Sequence, residues 1–69
     1  MNRNGEMFEY NIIKILKKNN DGLTITDVSK KLNIHYITAS KYLAVLEAKG
    51  IVECRNIGMA KVFKIKMVK

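Results

Sequence analysis

Apolar residues recur with a helical period in three stretches of the chain and with a strand period in two. Phe8, Ile12, Ile15 and Leu16 fall on one arc at helical spacing, and Ile13 widens it. This predicts a first helix, α1, over about residues 6–18. Residues 1–5 (MNRNG) are polar and are expected to be disordered. Asn19-Asn20-Asp21-Gly22 is a stop signal. Leu23-Thr24-Ile25 is a short β-prone run, expected to form a small strand, β1, that pairs with a later hairpin.

A second helix, α2, is read as beginning at Thr26, a good N-cap, with Asp27 in its first turn favouring the helix dipole. Val28 and Leu32, one turn apart, make its buried stripe, and Lys30 and Lys31 lie outside. Asn33 stands where α2 should end, because asparagine tolerates the left-handed conformation that a tight turn needs. Ile34 reads as the buried plug of that turn. A third helix, α3, is predicted over residues 35–49. Ala39, Leu43 and Leu46 share its core face, and Ile37, Lys41, Ala44 and Ala48 lie opposite, flanked by Thr38 and Ser40. Gly50 is the stop. Two β-prone runs, β2 (residues 51–55) and β3 (residues 60–66), are joined by Asn56-Ile57-Gly58-Met59 as a hairpin turn. Cys54 alternates with Val52 and reads as a small core hydrophobe. The predicted architecture is a single α+β domain, α1-β1-α2-α3-β2-β3.

Leu32-Asn33-Ile34, the polar run His35 to Ser40, and Leu43-Ala44-Val45-Leu46-Glu47-Ala48-Lys49-Gly50-Ile51-Val52 together resemble the winged helix-turn-helix superfamily of bacterial and archaeal transcription regulators. The likeness runs from about Ile12 to Ile65. It implies that the start and outer face of α3 enter the major groove, which would bring His35, Tyr36, Ile37, Thr38, Ser40 and Lys41 to DNA. It implies phosphate contact at the start of α2, at Thr26. It implies that the hairpin is a wing at the minor groove or backbone, through Arg55, Asn56, Gly58 and Lys61. Two branches of the superfamily fit poorly. Metal-sensing repressors carry a cysteine pair near α3, and this chain has none there. Readers of left-handed DNA carry Asn and Tyr on this helix and Trp in the wing, where this chain has Ser40, Ala44 and no Trp.

Composition sharpens this reading. The 69 residues make one domain, with a formal net charge of +7 and a pI near 9.8. Such a balance favours an anionic partner, nucleic acid before a membrane surface. A chain this short buries only about 60% of its unfolded surface. With Cys54 as the single cysteine, no disulfide framework is available, so a partner subunit is an expected source of stability. Met7 and Tyr10 lie off the core arc of α1, and Val45 off that of α3, which makes them candidate homodimer contacts. The run MNRNGEMFEY has no apolar core of a signal peptide. No apolar run approaches the ~20 residues of a membrane span, so a cytoplasmic location is expected.

Catalysis finds no support. There is no glycine-rich phosphate loop, no paired nucleophile and base, and His35 is the single histidine. Neither a cofactor nor a metal is expected. The expected function is sequence-specific binding of double-stranded DNA as a transcriptional regulator, repressing by occlusion. Two rivals remain open at this point. One is a winged helix used for protein interaction within a transcription or replication assembly. The other is an architectural DNA binder without sequence preference.

Overall fold

A computed structural model describes residues 4–66, with side chains from Met7 onward. The elements are α1 (Asn4–Lys18), β1 (Leu23–Thr24), α2 (Ile25–Leu32), α3 (Tyr36–Ala48), β2 (Val52–Ile57) and β3 (Ala60–Ile65). Their order is the expected one. Helix α1 begins two residues before the predicted start, so Asn4 and Gly5, expected to be disordered, are helical. The first turn of a helix has no intrahelical partners for its N–H groups in any case, so weak helix formers cost little there. Residues 1–3 lie outside the described residues.

The core forms where the predicted arcs meet. Ile12 and Leu16 of α1, Val28 of α2, Ala39, Leu43 and Leu46 of α3, Leu23 of β1, Val52 of β2 and Phe63 of β3 are all buried together. Leu32, Ile34 and Cys54 are half-buried and pack against this cluster. Sequence reading missed Ser29, which is buried. It fits because its hydroxyl donates to the carbonyl oxygen of Thr26 at 2.8 Å, which leaves no unsatisfied donor.

Both ends of α2 are set by local hydrogen bonds. The N-cap of α2 is Thr24 and not, as predicted, Thr26. Thr24 leaves β1 in an extended conformation (φ −80°, ψ 169°), as a cap must. The Asp27 N–H donates to Thr24 Oγ1 and the Thr24 N–H donates to Asp27 Oδ2, both at 3.1 Å. This reciprocal pair is a capping box. Thr26 already lies inside the helix. At the other end Asn33 is left-handed (φ 55°, ψ 48°), as the sequence predicted. Its N–H reaches Lys30 O, and the Ile34 N–H reaches Ser29 O at 2.9 Å. The same two-bond closure recurs after α3, where the Gly50 N–H reaches Glu47 O and the Ile51 N–H reaches Leu46 O, both at 3.0 Å. Each is a Schellman motif, with an apolar residue (Ile34, Ile51) packing back under its helix.

The sheet is antiparallel, in the order β1-β3-β2. Leu23 pairs with Phe63 and Thr24 with Val62. In the hairpin, Val52 opposes Ile65, Cys54 opposes Phe63, Asn56 opposes Lys61 and Ile57 opposes Ala60. Strand β2 therefore runs past the predicted Arg55 to Ile57, and the connection shrinks to Gly58-Met59. Gly58 has φ +62°, and Asn33 is the one non-glycine residue with positive φ among the described residues. Positive φ at the first turn position alone marks a type II′ turn, whose twist matches the strands it joins.

Candidate nucleic-acid interface

Burial divides α3 into a core face, an exposed crest and two flanks. Ala39, Leu43 and Leu46 face the core, while Ile37, Lys41, Ala44 and Ala48 form the exposed crest. Ile37 is 79% exposed, a degree rarely left to isoleucine on a free surface. One flank carries Tyr36 and Ser40. The other carries Thr38, Tyr42, Val45 and Lys49 and turns toward α1. There the Tyr42 ring lies 5.3 Å from that of Phe8, and Lys49 Nζ is 2.9 Å from Glu9 Oε1. Val45 is accordingly half-covered by its own fold, whereas Met7 and Tyr10 are exposed.

A concavity of about 520 Å³ opens beside the first flank. Thr24, Ile25 and Thr26 from the start of α2 form one wall, Tyr36 and Ser40 of α3 the floor, and Met59, Ala60 and Lys61 of the hairpin the other wall. Four residues expected from the sequence, Thr26, Tyr36, Ser40 and Lys61, are thus brought together. Thr24, Ile25, Met59 and Ala60 were not expected. The Thr24-x-x-Asp27 spacing was the available signal for the first of them.

The hairpin does not present its two cations alike. Side chains alternate across a strand. Buried Val52 and Phe63 fix the inward face, which continues outward through Cys54, Asn56 and Lys61. Arg55 opposes Val62 and shares the outer face with Glu53, Ile57 and Lys64. Lys61 therefore lines the concavity and Arg55 points to the other side of the wing. Asn56 is a strand residue on the Lys61 face. At the tip, Gly58 is exposed and Met59 projects fully into solvent.

The two helix starts differ electrostatically. At α2 the capping box already holds the Asp27 carboxylate against the first turn. At α3 His35 is the N-cap, its side chain makes no cap hydrogen bond, and the first turn holds no acid. The leading N–H groups of α3 and the positive end of its dipole are therefore open to an anion. Lys41 Nζ lies 5.5 Å from the Tyr42 ring centroid, a cation–π placement on the crest. Lys30 and Lys31 are exposed on α2.

A family model described as winged helix-turn-helix DNA-binding matches residues 8–53, from α1 into β2. The chain belongs to the winged helix-turn-helix DNA-binding family. No curated protein matches it. In this winged helix α3 is the second helix of the helix-turn-helix and the β2–β3 hairpin is the wing. Among the described residues of the winged helix no three metal-ligating side chains gather, and no helix is long and apolar enough to cross a membrane.

Proposed function

We propose that this winged helix is a sequence-specific transcriptional regulator that binds double-stranded DNA in two copies and represses by occluding a promoter. The observation that carries the proposal is the exposed, side-chain-uncapped start of α3 beside the concavity whose far wall is Lys61. A phosphate can sit at that helix start while Ile37 and Lys41 of the crest, with Ser40 on the flank beside them, reach base edges. Lysine then meets phosphate or the acceptor edge of guanine, and Ile37 packs on a thymine methyl. The lysines of α2, α3 and the wing supply sequence-independent affinity by neutralising phosphates. Thr26 and Asn56 contribute further backbone contacts from either wall of the groove.

One observation favours a second reading. Ile37, Ala44 and Ala48 make an apolar strip along the crest, which suits a protein partner better than a phosphate backbone. Selection from a random duplex pool, read by fluorescence anisotropy at two salt concentrations and by sequencing of the bound fraction, separates the readings. An enriched palindrome with salt-sensitive affinity supports the regulator. Salt-sensitive binding with no enrichment indicates an architectural binder. Loss of all binding at low salt moves the crest to a protein partner.

A further inference from the structure

Strand β2 is an edge of the sheet, because β3 lies in the middle. The register tells which of its backbone groups face outward. A two-residue turn makes Ile57 and Ala60 a hydrogen-bonded pair, and pairs alternate from there. Arg55–Val62 and Glu53–Lys64 are then hydrogen-bonded pairs, while Asn56–Lys61, Cys54–Phe63 and Val52–Ile65 are not. The bond from the Lys66 N–H to Ile51 O, 2.9 Å, continues the series one step beyond the strand. Val52, Cys54 and Asn56 therefore turn their N–H and C=O groups away from β3. Val52 is covered, at 1% exposure, so the open edge is Cys54 and Asn56, with the side chains of Glu53 and Arg55 beside it on the outer face.

We infer that β2 is a self-complementary edge through which two copies of this chain join antiparallel, with Cys54 opposite Cys54 of the second copy. The charge pattern selects this register. An antiparallel pair must set Cys54 and Asn56 against their copies or against each other to use the open backbone groups. Centring the pair on Glu53 opposes two carboxylates, and centring it on Arg55 opposes two guanidinium groups. Like charges directly opposite are destabilising. Centring on Cys54 sets Glu53 against Arg55 of the second copy twice, in the close pair type with Cα atoms about 4.5 Å apart. Glu53 is half-buried and, although Lys64 stands opposite it on its own hairpin, makes no ion pair among the described residues. Edges that avoid pairing carry charges, lysine above all, or proline. This edge carries opposite signs two residues apart and no proline.

The exposed Met7 and Tyr10 offer no such charge pairing, because the same face of α1 continues through Lys14 and Lys17 alone. The inference deepens the two-copy reading above by naming its surface, and its test contains no DNA. Its failure would leave the DNA reading to the duplex-pool experiment.

The test is sedimentation equilibrium of the full chain for the parent, Glu53→Arg, Arg55→Glu and the double exchange, with circular dichroism confirming the fold of each. Each single change turns two attractive pairs into two repulsive ones and should raise the dimer Kd about tenfold or more. The double exchange should return it to within about threefold of the parent. The two single changes move net charge in opposite directions, so general repulsion cannot weaken both dimers. A short bis-maleimide should join Cys54 to Cys54 in the parent and the double exchange, since the paired Cα atoms would lie about 5.5 Å apart. The same yield should fall in each single variant. A parent that stays monomeric at millimolar concentration overturns the inference. So does a dimer whose Kd ignores the exchange, and one broken by Tyr10→Lys alone would then lie at α1.

Discussion

Arg55 and Lys61, the two cations of the wing, stand on opposite faces of the hairpin. Asn56 is the residue opposite Lys61, and Arg55 is opposite Val62. Only Lys61 lines the concavity beside α3. A DNA duplex seated on α3 therefore meets Lys61 from that concavity, while Arg55 reaches it only at the wing's far side. Lys61→Ala should weaken every duplex alike and flatten the dependence of log affinity on log salt by about 0.9, the share of one phosphate contact. Arg55→Ala should change the slope less. Anisotropy titrations over several salt concentrations check both, and an Arg55 slope change equal to or larger than that of Lys61, in a variant shown by sedimentation to keep the parent's oligomeric state, would place the duplex on the other face of the wing.

The crest should carry discrimination instead. Lys41→Ala should cost about 1–3 kcal/mol on a selected duplex if its ammonium meets a base, and much less on a scrambled one. Ile37→Ala should relax preference at a position occupied by thymine, which replacing thymine by uracil would reproduce in the parent. Equal losses on selected and scrambled duplexes would reduce both residues to backbone contacts.

Much of this was legible in the sequence because it rests on periodicity. The arc of Ile12 and Leu16 and that of Ala39, Leu43 and Leu46 are dictated by 3.6-residue spacing, and every one of those side chains is buried. Asn33 and Gly50 were legible because few residues accept the left-handed turn. What escaped depended on competition between neighbours. Thr24 and Thr26 are equally good caps by type, and only the reciprocal bond with Asp27 decides between them. The opposite facing of Arg55 and Lys61 was within reach of the sequence, because strands 51–55 and 60–66 across a four-residue turn pair Arg55 with Ala60 and leave Lys61 on the other face. The two-residue turn shifts the register by two and keeps that parity. Ser29 was missed because a hydroxyl reads as surface until its carbonyl partner is known.

Gly22 and Gly50 both have positive φ, +96° and +79°, but their surroundings differ. A Cβ on Gly22 would stand 2.4 Å from Val62 Cγ1 and 3.0 Å from Phe63 O, on the central strand. At Gly50 it would meet nothing within 4 Å. Gly50→Ala should cost only the left-handed backbone penalty, about 1–2 kcal/mol. Gly22→Ala should add an overpacking cost of about 1–3 kcal/mol. In a domain this small each kcal/mol lowers Tm by about 4–8 °C. Urea unfolding of both variants tests the ranking, and a Gly50→Ala variant at least as damaged as Gly22→Ala would contradict it.

Thr24 and Thr26 allow stability and binding to be separated within one turn of helix. Thr24 is the N-cap whose hydroxyl accepts from the Asp27 N–H, and Thr26 is exposed with no side-chain bond of its own among the described residues. Thr24→Ala should destabilise the fold by about 1 kcal/mol, the usual worth of a cap, and Asp27→Ala should cost a similar amount by breaking the same box from the other side. The two losses should not add, because either change already removes the reciprocal pair. Thr26→Ala should leave the unfolding midpoint nearly unchanged and, if its hydroxyl meets phosphate, weaken all duplexes by a similar factor. Chemical denaturation and duplex titration of the same four proteins, the double variant included, decide it. Additive losses at Thr24 and Asp27 would mean that each acts alone and that the box is not the unit holding the start of α2.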